Sequence, residues 1–109
     1  MVKDEKVQKQ ILEIVKKITT YYKPLKIILF GSYVYGYPTE DSDIDILIVT
    51  EGRLSPDGTY KIQREFSREF SIPLQLTCVS DEEFSDTKDI IGGITYSASK
   101  YGEILYEKS

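Results

Sequence analysis

The feature that most constrains the fold is a pair of apolar runs joined by a turn-rich segment. The first run ends at Phe30 and is followed at once by Gly31-Ser32, and ten residues later Asp43-Ile44-Asp45 opens the second run. Gly-Ser is typical of a tight turn, whereas short apolar runs bounded by turn residues are typical of buried strands. The spacing therefore predicts two strands connected by a turn and a loop, with two carboxylates where the second strand begins.

Asp43 and Asp45 are the first candidate site residues. Side chains two apart on a strand lie on the same face, so the two carboxylates converge if the strand begins at or before Asp43. Neighbouring carboxylates repel each other unless a cation lies between them. The sequence has no histidine, so any metal must be bound by oxygen atoms, which suit Mg²⁺ or Mn²⁺. These two residues therefore predict a divalent metal site.

Gly31 and Ser32 complete the motif. Gly31 lacks a Cβ, which lets the backbone approach a phosphate closely, and free N–H groups at the start of a helix bind anions. We expect Ser32 to cap a short helix through Tyr37 and to donate one more hydrogen bond. Each piece alone is more often structural, since Gly-Ser and Asp-Ser-Asp are ordinary turn sequences. Their combination predicts a triphosphate on the turn, bridged by metal to the two aspartates.

The rest of the chain alternates between helical and strand patterns. This alternation predicts an α/β (α+β) fold in which helices pack against a small mixed sheet of three or four strands. The length suits a single domain over residues 1–109. The predicted helices are 4–22, 59–70, a helix beginning with the capping box at Ser80, and 90–101; the predicted strands are 26–30, 44–50, 74–79 and an edge strand at 104–106; residues 52–58 are predicted as a loop.

Composition excludes several classes of function. The net charge of -4, without a basic stripe, argues against general nucleic-acid binding. The first residues lack the apolar run of a signal peptide, and no apolar stretch is long enough to span a bilayer, so we expect a cytoplasmic protein. The single cysteine, Cys78, lies in an apolar run, where it is more often a small core residue than a nucleophile.

The combination of Gly31-Ser32 with Asp43-x-Asp45 closely resembles the motif of the nucleotidyltransferase superfamily that includes DNA polymerase β, and within it the minimal nucleotidyltransferases. Residues 72–77 resemble that family's third strand, residues 79–84 the segment after it, and residues 102–107 its usual C-terminal ending. The resemblance covers nearly the whole chain and implies the nucleotidyltransferase fold.

The resemblance also implies an activity. Members of this family transfer a nucleoside monophosphate, here expected to be AMP, from a metal-bound nucleoside triphosphate to a hydroxyl. The acceptor would be a protein, a small molecule or an RNA end, and the acidic net charge argues mildly against RNA. By the same resemblance Asp43 and Asp45 would be the catalytic and metal-binding residues, with Mg²⁺ or Mn²⁺ as the ion. Gly31 and Ser32 would bind the phosphates of ATP.

The chain departs from the family pattern at the third strand. The family usually has a third carboxylate there, and the aligned residue of this chain is Gln75. A neutral amide carries no charge and accepts no proton, so we expect weaker catalysis than nucleotide binding. Tyr33 and Tyr35 replace the arginines that often follow Gly-Ser; they either stack on a base or belong to the rim of the core. The acids left open as substitutes for the third carboxylate are Glu51, Asp57 and Glu65.

A binding function is the alternative. Minimal nucleotidyltransferases that resemble this chain are often encoded beside small all-helical HEPN proteins and act as their antitoxins. With Gln75 in the third position, the chain would then be a catalytically impaired nucleotide-binding partner of such a protein. A weaker third option is a nucleotide-sensing subunit. The small size also predicts that the acceptor site is completed by a partner or by a second copy of the chain.

Overall fold

The computed structural model describes residues 4–36, 38 and 42–108, apart from the side chain of Tyr35. These residues include four strands: β1 (Lys26–Phe30), β2 (Ile44–Thr50), β3 (Leu74–Ser80) and β4 (Glu103–Glu107). They form one sheet in the order β3-β2-β1-β4. β1 pairs antiparallel with β2 and β4, whereas β2 pairs parallel with β3. The predicted mixed sheet is therefore confirmed, with β4 as an edge strand.

Five helices accompany the sheet in the described residues. The longest begins where the Asp4 carboxylate accepts hydrogen bonds from the amides of Lys6 and Val7, which satisfies two free N–H groups of the first turn. The predicted cap at Ser80 is also present, since its hydroxyl accepts a hydrogen bond of 3.0 Å from the Glu83 amide. The helices are α1 (Glu5–Tyr22), α2 (Ser32–Tyr35), α3 (Pro56–Glu69), α4 (Asp81–Thr87) and α5 (Ile94–Tyr101).

Three predicted boundaries are wrong. Helix α3 begins at Pro56 instead of residue 59, because Ser55 caps it and proline fits the first helical position, where no N–H is needed. Helix α5 begins at Ile94 instead of residue 90, since the glycine pair before it forms a turn. Ser32 does not cap α2: Gly31 occupies the cap position and the helix ends at Tyr35. Tyr37 lies outside the described residues.

One face of the sheet has a large core and is called the thick face; the other has a small core and is called the thin face. Helices α1 and α3 cover the thick face, and the buried residues there include Ile14, Ile18 and Phe66. Fewer residues are buried on the opposite face, where Phe84 of α4 and Ala98 of α5 pack against the sheet. In the part of the chain that the structure describes, none of the helices has the length and apolar character needed to cross a bilayer.

Candidate functional site

Asp43 and Asp45 lie where β2 begins. The strand starts at Ile44, so Asp43 precedes it by one residue and is exposed, whereas Asp45 lies within it and is partly buried. The condition for convergence, a strand that begins at or before Asp43, is therefore missed by one residue. The two carboxylates nevertheless interact: burial raises the pKa of Asp45, and the negative charge of Asp43 raises it further.

Gly31 lies directly against Asp45. Phe30, the last residue of β1, pairs with Asp45 in antiparallel register, which brings the following glycine onto the carboxylate. Gly31 has a φ of 85°, and a Cβ at this position would overlap Oδ2 of Asp45. Glycine is therefore required here both for its conformation and for the space that it leaves to the aspartate.

Ser32 is the first residue of α2, and its side chain is partly buried. Within the described part of the chain its hydroxyl has no hydrogen-bond partner. The first amides of any helix have no acceptor inside that helix, so those of Ser32 and Tyr33 are available, whereas the Val34 amide donates to the Gly31 carbonyl at 3.0 Å. Within the described residues three donors are thus unpaired at the start of α2, directly after Gly31 in the chain, and phosphate binding by them stays a prediction.

Gln75 lies beside Asp45. The parallel register of β2 and β3 pairs these two residues directly, so both side chains lie on the thin face of the sheet. Gln75 is exposed. The place where the family resemblance puts a third carboxylate is therefore next to Asp45, and a neutral amide occupies it. Consistently, the described residues contain no group of three His, Cys, Asp or Glu side chains that could hold a metal ion.

None of the three acids left open as substitutes lies near Asp45. Glu65 belongs to α3, on the opposite face, where it forms an ion pair of 3.2 Å with Lys17. Glu51 follows the far end of β2, about 20 Å from Asp45 at the usual rise of a strand. Asp57 is in the first turn of α3, which begins near that same far end. The third position is thus occupied by Gln75 alone in the described part of the site.

Tyr33 is largely structural. Its ring packs against the core cluster of the thick face, as expected for an aromatic residue at the rim of a small core. Burial raises the pKa of its hydroxyl, and the charges of Asp4 and Asp43 raise it further. The negative charge of Asp43, a candidate metal ligand, therefore acts on this hydroxyl. The side chain of Tyr35, the second candidate for stacking, is outside the described part of the chain.

Cys78 is a core residue, as interpreted from the sequence. It packs against the thick-face cluster, and burial raises the pKa of its thiol to about 11. The thiol is therefore protonated at neutral pH and is a poor nucleophile.

Gln63 is a residue that sequence reasoning missed. Its side-chain Nε2 donates to the Leu74 carbonyl at 2.8 Å, and its Oε1 accepts from the Leu76 amide at 2.6 Å. The amide thereby pairs with the outer edge of β3. Beside it lies an open cleft of about 630 Å³ that Gln75 also borders. No local pattern distinguishes Gln63 from any other polar residue of α3, because its role depends on where β3 lies.

The fold and the motif together define a nucleotidyltransferase. The chain belongs to the polymerase β nucleotidyltransferase family, since residues 9–109 match the model described as "Polymerase beta, Nucleotidyltransferase". A curated protein of Methanocaldococcus jannaschii, named as a candidate protein adenylyltransferase, is 34% identical over 101 residues, which cover 91% of this chain and 97% of that protein. The predicted family is confirmed, and the comparisons favour a transferase over the binding-only alternative.

Solved structures share the fold. A toxin–antitoxin structure with AMP-PNP matches with a TM-score of 0.64 at 18% identity, and an MntA–HpeT toxin–antitoxin variant with a TM-score of 0.63 at 16%. Each match covers 92% of this chain and 73% of the other. A candidate nucleotidyltransferase of Sulfolobus solfataricus matches with a TM-score of 0.63 at 20% identity, covering 92% of this chain and 79% of that one. At these identities the likeness establishes the nucleotidyltransferase fold.

Proposed function

We propose that this chain transfers AMP from ATP to a hydroxyl of a protein acceptor. The observation that carries the proposal is the juxtaposition of Gly31, Asp45 and Gln75 at one open end of the sheet. The M. jannaschii relative is named for transfer of an adenylyl group to protein, and one fold neighbour was crystallised with AMP-PNP. Both names support ATP as the nucleotide.

The metal that this reaction needs suits the residues present. The donors at the site are oxygen atoms. Burial and the charge of Asp43 raise the pKa of Asp45, which makes its ionised form less favourable than in water, and a cation between the carboxylates offsets this. We propose that Asp43 and Asp45 bind Mg²⁺ or Mn²⁺, with the amide oxygen of Gln75 as a weaker neutral donor. When bound, such an ion neutralises charge on the triphosphate and on the leaving oxygen.

The protein's own groups bind and orient the substrates. The amides of Ser32 and Tyr33 and the Ser32 hydroxyl hold phosphate oxygens, while Gly31 fixes the position of the Asp45 carboxylate. The acceptor oxygen attacks the α-phosphorus, the bond from that phosphorus to the bridging oxygen breaks, and pyrophosphate leaves. Gln75 cannot accept the acceptor's proton, which passes to Asp45 or to water. We therefore expect transfer to be slow.

A partner protein completes the acceptor site in this proposal. Two of the fold neighbours are toxin–antitoxin assemblies, which supports a protein partner. We propose a small helical protein of the HEPN type as that partner. A second copy of the chain is the competing possibility, and the mass of the active complex distinguishes the two.

Label transfer from ATP carrying ³²P in its α-phosphate tests the proposal. The protein is incubated with Mg²⁺ and labelled ATP, with and without the protein encoded beside it. We expect wild type to label the partner, and Asp45→Asn to reduce labelling about 100-fold. Asp57→Asn is the matched control, because it removes the same charge from an exposed position at the other end of β2. Wild-type protein that binds ATP with Mg²⁺ yet labels no supplied protein would contradict the proposal.

A further inference from the structure

The outer edge of β3 offers main-chain groups to a partner. The carbonyl of Pro73 accepts from the Ile44 amide of β2 at 2.9 Å, so the odd-numbered residues of this segment direct their main-chain groups toward β2. Directions alternate along a strand, and β3 is the last strand on this side of the sheet. The residues whose main-chain groups point outward are therefore Leu74, Leu76, Cys78 and Ser80.

Gln63 already pairs with the first part of this edge. Its side-chain amide accepts from the Leu76 N–H and donates to the Leu74 C=O. This is the bonding pattern that a peptide group of a neighbouring strand would supply. The first half of the edge is thus closed by a mimic of a polypeptide backbone.

The second half of the edge is open. The carbonyl of Leu76 and both main-chain groups of Cys78 form no hydrogen bond within the described part of the chain, and they border the cleft beside Gln63. Tyr60 of α3 and Glu83 of α4 also border this cleft, and Tyr60 is 67% exposed. Main-chain groups that lie in a cleft need hydrogen-bond partners. The unpaired groups here recur at the spacing of a strand.

We infer that the edge of β3 around Cys78 binds an extended polypeptide segment as a fifth strand. Alternating N–H and C=O groups at strand spacing are complementary to another main chain, whereas a nucleotide or a lipid presents no such series. The side chain of Gln63 shows that an amide fits this edge. The exposed ring of Tyr60 offers an apolar surface to a side chain of the incoming segment.

The bound segment belongs to the acceptor, a step that rests on the proposed function. The cleft includes Gln75, which pairs in register with Asp45. A strand added to β3 would lie about 10 Å from β2, two strand spacings away. Cys78 pairs in register with Ile48, three residues along β2 from Asp45. The acceptor hydroxyl would therefore reach Asp45 from a residue of the bound segment that continues beyond the Gln63 end of the edge.

Substitution of Cys78 tests the role of the β3 edge without changing the pairing of β3 with β2. Cys78→Pro removes the outward N–H and fills the edge with a ring, yet takes no hydrogen bond from β2; prolines are tolerated on such outer edges. Cys78→Ala is the matched control, because it loses the thiol and keeps the N–H. Thermal unfolding of both variants establishes that the sheet is intact.

The probe is a blocked hexapeptide of alternating Thr and Val with one central Tyr. Two further versions carry N-methyl groups on alternate residues, in complementary patterns. We expect the plain peptide to slow amide exchange at Cys78 in the full chain without ATP. One methylation pattern should weaken binding about 10-fold or more, since it blocks the bonds to β3, and the other should not. Cys78→Pro has no amide N–H at position 78, so its binding is measured by the fluorescence anisotropy of a dye-labelled peptide. Cys78→Pro should lose binding to the same extent, and Cys78→Ala should keep it.

Three results would overturn the inference. The first is that no peptide slows exchange at Cys78 at millimolar concentration, and the second is that both methylated peptides bind equally well. The third is that exchange slows as the protein concentration rises without peptide, which would assign the edge to a second copy. Label transfer to the peptide is measured separately. Binding without transfer supports the docking edge and counts against the proposed function, whereas transfer that Cys78→Pro leaves unchanged overturns docking and leaves the proposed function standing.

Discussion

The two faces of the sheet differ in how much apolar side chain they bury. Among the described residues, fourteen buried residues form the cluster beneath α1 and α3, whereas five form the cluster beneath α4 and α5. The first face holds most of the core. The second face leaves the start of β2 uncovered, so Asp45 and Gln75 remain reachable. The thick face of the sheet therefore provides most of the stabilising core, and the thin face carries the candidate site.

Truncation of the largest core side chain should have the greatest effect. Phe66 is fully buried, contacts the Tyr22 and Phe70 rings at centroid distances of 6.3 and 6.0 Å, and lies 4.8 Å below the Lys17 ammonium. We expect Phe66→Ala to lower the free energy of unfolding by about 3–5 kcal/mol. Phe84→Ala, on the thin face, should lower it by roughly 1 kcal/mol. Urea unfolding measures both, and equal losses would refute the division between the faces.

Gly31→Ala should harm the site more than the fold. A Cβ at Gly31 overlaps the Asp45 carboxylate, whereas one at Gly52 meets nothing within 4 Å, although both residues have positive φ, 85° and 79°. Both variants should lose roughly 1–2 kcal/mol of stability from backbone strain. Only Gly31→Ala should reduce labelling, by about 100-fold, because it displaces the aspartate. Full activity of Gly31→Ala would mean that Asp45 is not at the reacting centre.

Restoring the third carboxylate should raise the rate of transfer at the thin face. Gln75→Glu puts a second proton acceptor beside Asp45, so we expect labelling to rise about 10-fold or more. Thr77→Glu is the control: it adds the same group on the same face, next to Leu47 instead of Asp45. If both variants or neither raise the rate, the register of β3 has no bearing on transfer.

The charge of Asp45 should make a small, pH-dependent contribution to stability. Burial and Asp43 raise its pKa in the folded protein, so the folded state binds its proton more tightly than the unfolded state does. Stability therefore falls as pH rises from the ordinary pKa of an aspartate through the raised one. We therefore expect Asp45→Asn without metal to melt slightly higher than wild type at neutral pH.

That difference should vanish below the ordinary pKa of aspartate, where both the folded and the unfolded wild type are protonated. Melting curves across the acidic range test this, with Asp57→Asn as the exposed control. A variant that melts lower than wild type at neutral pH would show that Asp45 stabilises the fold as a charged group.

Strand positions followed from the sequence because each strand is a short apolar run. β1 and β2 have the predicted bounds, and β3 extends one residue further. Helix α3 was misjudged at its start because Pro56 and Gly58 are typical of loops in isolation. The Ser55 hydroxyl, which accepts from the Gly58 amide at 3.0 Å, instead makes the same residues a first helical turn.

The site was predictable only in part for a related reason. The Gly31-Ser32 and Asp43-x-Asp45 pieces lie close in sequence, so their spacing predicts their proximity. The pairing of Asp45 with Gln75 depends on a parallel register between strands that α3 separates; the family resemblance suggested it and composition did not. Gln63 was missed because its partner is the backbone of β3, which no side-chain pattern reveals.

The pairing of β4 with β1 has a consequence for synthesis of the chain. β1 emerges early from the ribosome, and its antiparallel partner Glu103–Glu107 is made much later. Until then the nascent sheet keeps one side of the apolar strand Lys26–Phe30 unpaired, and such an edge is a template for association with other chains. Addition of β4 therefore pairs the free side of this apolar strand and moves the edge of the sheet to a strand that has Glu103 and Glu107 at its two ends.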